Sequence, residues 1–338
     1  HSMELSTGIY ESLIYEALKK KLDALNKSQY AVNTLSIDSA EVPRLLTNYI
    51  SKILSRLLTD DKLFESLEER ISFINKILHF IEGEWSCDTA DDLLVVQNYL
   101  LSGIISRAGK NEQQIKAYNL LRPKSGFTVS NLFTGSNHDL SLQSEINLDI
   151  QSADEIYWIV AFIKFSGVRI FKDALSHFLE RPDARMHIIT TSYMAASEPK
   201  ALQFLKELSP EKVDIRVTYD TTLDRLHAKS YIFLRNSGLH TAYIGSSNLT
   251  MSAMTGLEWN IRVTSQENPQ IIKAALATFD TYWNRPDFEP YDEERFRRAI
   301  YAEQHKNDSE HPTALARYMI RPEQKEMLEK LSVAREVH

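Results

Sequence analysis

With one cysteine, Cys87, in 338 residues, the chain can close no internal disulfide and cannot build a cysteine-rich zinc site, and it suits a reducing compartment. Positive charge is not in excess: 39 Lys and Arg against 46 Asp and Glu leave a formal net charge of −7. No global basic field draws the protein to polyanions, so any anionic ligand must be held by a local patch. No apolar run reaches the length of a membrane span, and the N-terminus lacks the hydrophobic stretch of a signal peptide. Glycine and proline, 10 of each, are too few for a fibrous or low-complexity chain. What is present, 43% apolar and 25% charged residues, is the composition of a globular protein with room for two cores. The expectation is a cytoplasmic protein, with His1 and Ser2 standing ahead of a natural start at Met3.

Two textures follow one another along the chain. Residues 1–122 read as a helical domain. Ile9, Leu13, Ile14, Ala17, Leu18, Leu22 and Leu25 recur near a 3.6 period, and comparable patterns run over 39–58, 60–81 and 88–105. Ser39 is the expected cap of the second helix, with Pro43 in its first turn. Leu121 to Gly126, LRPKSG, marks a boundary. Beyond it strands alternate with helices: apolar strands over 156–163, 186–193 and 213–219 are separated by amphipathic helices over 171–180 and 199–208. That alternation predicts α/β layering, helices packed on a sheet. Three more strands over 228–234, 240–246 and 258–264 precede a helix at 271–284. The domains expected are therefore 1–122, 123–290 and a charged helical tail, 291–338.

The last three strands carry the chemistry. In RLHAKSYIF, His227 and Lys229 stand two apart, so a strand turns both side chains to one face. GSSN places Ser246 and Asn248 after the close-approaching Gly245, and Glu258 heads the following strand. Taken singly, each group has a plain reading: a structural histidine, a solvated lysine, a turn and a surface carboxylate. Together, on neighbouring strands, they supply a nucleophile or base, two donors and an orienting carboxylate, the inventory for phosphoryl transfer without a metal. Glu258 is expected to accept a hydrogen bond from His227 or from Lys229. Lys164, Thr191 and Arg225, at strand ends and just ahead of His227, are candidates for substrate contact, against the alternatives of solvation or helix capping.

HAKSYIF, GSSNLT and GLEWN resemble the signature of the phospholipase D superfamily, His-x-Lys followed by Gly-Ser-x-Asn and an acidic residue. The resemblance, over about 133–284, implies an α/β sandwich with a central mixed sheet and helices on both faces. It makes His227 the phosphorus nucleophile and Lys229 and Asn248 the phosphate ligands, with Ser246 beside them. The superfamily's usual Asp, seven residues after its His, is Leu234 here. The metal-independent nucleases of the superfamily also lack that Asp and use a Glu, which Glu258 matches. Such sites need two His sets, and no other histidine in the chain is followed by the matching turn. A homodimer sharing one site is implied.

LFTG, AFIKFSG, ITTSYM and Arg321-Pro322-Glu323-Gln324 further resemble the N-terminal region of bacterial DEAD/DEAH-box helicases that carry such a nuclease domain. The chain has no G-x-x-x-x-G-K-[ST], so ATP and Mg²⁺ would belong only to an absent motor, and the phosphodiesterase chemistry would need no cofactor. The function implied is cleavage of DNA through a phosphohistidine. Two other readings stay open: a phosphate pocket that holds a DNA end without turnover, and hydrolysis of phospholipid head groups, against which no basic amphipathic membrane helix is evident.

Overall fold

The computed structural model describes residues 12–305, apart from 27, 30, 35, 86–89, 96–99, 103, 105–106, 108–110, 114–116, 118–120 and 221–224. The chain divides into two units, His1–Ser102 and Gly103–His338. The first holds α1 (Glu16–Asp23), α2 (Val42–Leu58) and α3 (Leu67–Trp85). Pro43 sits in the first turn of α2, where its missing N–H is no loss, but the cap position falls on Glu41 and not on Ser39. Phe64 and Phe73 approach at 5.3 Å, and Arg70 Nε donates to the Leu58 carbonyl at 2.9 Å. None of the three helices buries a side chain, so the periodicity that announced a bundle is met by apolar faces left partly open, as at Leu46 and Ile50. Of the fourth expected helix, over 88–105, much lies outside the described residues. What is described is a short turn at Ala90–Asp92 and non-helical chain after it.

The second unit is built on an eight-stranded mixed sheet. Its strands are β1 (Asn131–Phe133), β2 (Glu155–Val160), β3 (Arg185–Thr191), β4 (Val213–Thr218), β5 (Lys229–Leu234), β6 (Thr241–Gly245), β7 (Asn260–Thr264) and β8 (Phe288–Pro290). The order across the sheet is β1-β7-β6-β5-β2-β3-β4-β8. Only β2 with β3 and β3 with β4 run parallel, as crossover helices demand, while the hairpins β5-β6 and β6-β7 run antiparallel. The helices of this unit are α4 (Leu142–Ser152), α5 (Phe165–Arg169), α6 (Lys172–Glu180), α7 (Pro199–Leu208), α8 (Met251–Thr255), α9 (Pro269–Trp283) and α10 (Glu293–His305).

Period-two alternation sorts the strand side chains between two cores. Ile156, Trp158 and Val160 join the larger, with Ile146 and Ile150 of α4, Leu175 and Phe178 of α6, Leu202 of α7 and Phe296 of α10. Ile159 packs on the other face with Ile189 and Phe279 of α9, next to a smaller cluster of Ile232, Val263 and Ile272. Each such side chain, fully buried, contributes about 1.5–3 kcal/mol. Helices therefore cover both faces, as the α/β reading requires. The tail begins as part of this unit, since α10 buries Phe296 and Ile300; residues 306–338, with the Arg321–Gln324 element, lie outside the described residues.

The segment read as a boundary, LRPKSG, is tied into the same unit. Lys124 and Ser125 donate backbone N–H groups to the buried Glu145, each at 3.0 Å. Phe127 lies over the Arg235 guanidinium at 4.4 Å and near Arg262 at 5.9 Å. Those two arginines flank Asp149, which is fully buried and also accepts from Thr241 at 3.0 Å and Tyr243 at 2.6 Å. Burial raises the Asp149 pKa, but the two guanidiniums outweigh it and the carboxyl stays below its ordinary value. Among the described residues no helix is long and apolar enough to cross a membrane.

Candidate active site

β2 and β3 finish at the end of the sheet where β5 and β7 begin and β6 stops. The register fixes this: Val160 pairs with Lys229, Ser230 with Ile244, and Gly245 with Asn260. His227, Lys229, Ser246, Asn248 and Glu258 are thereby gathered at one end of the sheet, from three loops. Their turn is tightly braced. Ser247, fully buried, donates its N–H to Asn260 Oδ1 at 3.3 Å, accepts from Asn260 Nδ2 at 2.8 Å, and its carbonyl accepts from Tyr231 at 2.9 Å. Gly245 is required, because a Cβ there would lie 2.2 Å from the Trp259 carbonyl oxygen. Gly167 is required likewise: a Cβ on it would meet the Leu249 carbonyl at 2.3 Å, so α5 lies directly against the turn.

His227 is exposed, while Lys229 beside it is only 6% exposed. The Lys229 ammonium lies 2.9 Å from Nδ1 and 3.2 Å from Nε2 of the imidazole and donates to the His227 carbonyl at 2.6 Å. Partial burial, then the neighbouring ammonium, hold the His227 pKa below the ordinary histidine value, which favours the neutral ring. Burial likewise lowers the Lys229 pKa, and the Glu258 carboxylate works against that shift. Asn248 Oδ1 accepts from the Phe162 N–H at 3.2 Å, and among the described residues its Nδ2 makes no hydrogen bond. One end of the sheet thus holds an imidazole, an ammonium and an amide donor side by side.

The hydrogen bond of Glu258 differs from the one expected. The carboxylate accepts from Ser246 Oγ, not from His227 or Lys229, and acts on Lys229 through its charge alone. Ser246 is in turn held by the Trp259 N–H at 3.1 Å. The β6-β7 register carried one step past Gly245 and Asn260 sets Ser246 opposite Trp259, with Glu258 the next residue along, within reach of the Ser246 hydroxyl. Lys164 is exposed, and its N–H donates to the Leu249 carbonyl at 2.9 Å, one residue from Asn248. Arg225 is exposed, its guanidinium 5.2 Å from the Tyr193 ring. Thr191 does not face a ligand: it is 1% exposed, and its Oγ1 accepts from the Tyr193 N–H at 3.0 Å. That hydroxyl caps a turn.

Tyr193, at the end of the 186–193 strand, is a groove candidate in the sequence as Thr191 is; Phe162, Tyr231, Ser247 and Asn260 also border the site and are not singled out as functional by the sequence. Asn260 and Ser247 lie inside the motif stretches, and a buried polar pair at that spacing was the available signal. Phe162, edge-on to the imidazole at 6.0 Å, carries no signal beyond being apolar. Among the described residues no three His, Cys, Asp or Glu side chains are grouped as metal ligands would be.

A family model described as cardiolipin synthase, PLD-like domain, matches residues 146–283. A curated relative, glycogen synthase of Lactiplantibacillus plantarum, is 26% identical over 148 residues, 44% of this chain. The chain spans only 30% of that relative's length. Among solved structures, Nuc from Salmonella typhimurium, a phospholipase D family member, is similar with 17% identity and a TM-score of 0.36. That likeness covers 48% of this chain and 99% of Nuc. NucT from Helicobacter pylori is similar with 15% identity and a TM-score of 0.36, over 45% of this chain and 94% of NucT. The matched segment 146–283 contains β2 through α9, and with them every strand end that feeds the site, so the part of the chain that is similar to the PLD-like family is the part that carries the site.

Proposed function

We propose that this domain is a metal-independent phosphodiesterase that cleaves DNA, working as a homodimer. The observation that carries the reading is the exposed His227 with Lys229 within 3.2 Å and Asn248 on the adjoining turn. The imidazole lone pair attacks phosphorus in line, and the bond from phosphorus to the leaving strand oxygen breaks. Lys229 and the free Nδ2 of Asn248 bind the non-bridging oxygens and offset their charge. The two His227 rings of the dimer share one proton: the second copy's ring carries it, gives it to the leaving oxygen, then takes one from the water that attacks the phosphohistidine. The P–N bond breaks, leaving a phosphomonoester and free His227. Glu258, locked to Ser246, works against the loss of the Lys229 proton that burial favours.

The second copy has a surface to meet. Leu257, Trp259 and Ile261 are 83%, 67% and 46% exposed, at alternate positions running out of the site into β7. Leu132, 51% exposed, pairs with Ile261 across β1 and β7. This apolar stripe flanks Glu258, and a copy docked there brings the second histidine that one chain lacks. Attachment of the domain to a helicase motor, with 1–122 as a helical N-terminal domain and 291–338 leading towards the motor, is part of the same reading.

The experiment incubates labelled single- and double-stranded DNA with parent and H227A protein, first with EDTA and then with Mg²⁺ or Mn²⁺. Cleavage by the parent in EDTA, lost in H227A, is expected. Cleavage only with metal would reject the mechanism. Retained binding without cleavage under any condition would make the domain a phosphate-binding module, and release of head groups from phospholipid vesicles without DNA cleavage would make it a lipase.

A further inference from the structure

Beside the phosphate site lies a pair of groups that the phosphoryl chemistry does not use. The chain leaves β3 at Thr191 and enters a turn, Tyr193–Ala195, in which Met194 and Ala195 both adopt left-handed backbone with φ of 58° and 51°. Two successive non-glycine residues in that region are strained, and they persist only where the surroundings hold them. Here Thr191 Oγ1 accepts from the Tyr193 N–H at 3.0 Å, and Glu303 of α10 accepts from the Met194 N–H at 3.3 Å. What the strain secures is the position of the Tyr193 ring, half-buried at the catalytic end of the sheet with the Arg225 guanidinium 5.2 Å from its centre.

Arg225 is two residues ahead of His227, a span of about 7 Å in extended chain, comparable to the reach across one nucleotide. Among the described residues neither Arg225 nor the exposed Lys164 is in an ion pair, and the Tyr193 hydroxyl makes no hydrogen bond. An aromatic face and a planar cation, held together and otherwise uncommitted, fit a ligand that is both anionic and flat. A nucleotide is such a ligand, whereas a lipid head group offers phosphate without a ring. We propose that Tyr193 and Arg225 form a base-stacking subsite for the nucleotide next to the scissile phosphate, by which the site selects polynucleotide over other phosphodiesters. The inference rests on the phosphodiesterase reading only for where that phosphate sits.

The test is direct binding, which needs no turnover. Fluorescence anisotropy measures the Kd of H227A protein for a labelled single-stranded oligodeoxynucleotide and for an abasic strand of the same length and charge. The base-bearing strand should bind about tenfold more tightly, and Y193A should raise its Kd about tenfold without changing the abasic Kd. R225A should weaken both strands, because it removes charge as well as a stacking surface. Y193F and Y193W, which keep the ring and spare the turn, should retain the preference, and this separates stacking from misfolding. Equal affinity of the H227A protein for both strands, or an equal loss on both in Y193A while Y193F binds normally, would overturn the subsite. Cleavage of bis(p-nitrophenyl) phosphate by the parent, measured separately, reads the phosphodiesterase chemistry: its absence beside an intact base preference removes that chemistry and leaves the subsite standing.

Discussion

Lys229 opposes protonation of His227, burial opposes protonation of Lys229, and Glu258 pulls the lysine the other way. These signs set the pH behaviour. A histidine whose pKa is lowered stays neutral to lower pH, so kcat/KM for DNA should fall on acidification with a midpoint below about 6.5. A midpoint above that value would place the nucleophile elsewhere. Removing the Glu258 charge removes what favours the ammonium. In an H227A background, E258Q should therefore lose DNA affinity at lower pH than its parent over an alkaline titration, since the Lys229 pKa falls further. Coincident titrations would assign Glu258 to Ser246 alone. The site was legible at this scale because His227, Lys229, Ser246, Asn248 and Glu258 fall within one short window. The partner of Glu258 was not, because Ser246 meets it only through the β6-β7 register. Thr191 stays open in the sequence for a similar reason: a residue at a strand end can face ligand or cap a turn, and the buried geometry favours the turn.

Strands β2 to β7 were readable from apolar runs and alternation, and α7 starts and stops where its sequence pattern does. The three-residue edge strands β1 and β8 were not, being too short to show a period. Helix α4 was hidden by its own function. Its buried positions include Glu145 and Asp149 among Leu142, Ile146 and Ile150, so the stripe facing the core reads as half polar. Those carboxylates are buried because the chain supplies partners from afar: Lys124 and Ser125 for one, Arg235 and Arg262 for the other. The five-residue α5 shows what an element can do to a distant turn. G167A would drive a methyl into Leu249, so we expect a loss of about 1–3 kcal/mol in urea denaturation. DNA cleavage should fall more than the loss of folded protein explains, because Asn248 moves with the turn. Unchanged cleavage per folded molecule would show that the turn absorbs the methyl.

At the scale of the molecule, both sheet edges are closed by short strands, which leaves little ladder for another chain to extend. Copies should therefore meet across the strand ends, where Leu257 and Trp259 stand out. Multi-angle light scattering at micromolar concentration should give a dimer mass for the parent and a monomer mass for W259D, with cleavage lost alongside. A monomeric parent that still cuts would refute the shared site. The residues ahead of the sheet bear on how this protein can be dissected. LRPKSG reads as a hinge where a shorter fragment would be cut, yet its backbone N–H groups and Phe127 close over Glu145, Arg235 and Arg262 like the clasp of a case. Arg262 lies two residues beyond Asn260, the brace of the catalytic turn. A fragment begun at the first strand would leave a carboxylate and two guanidiniums with open sides. The smallest autonomous piece of this chain must begin before Lys124.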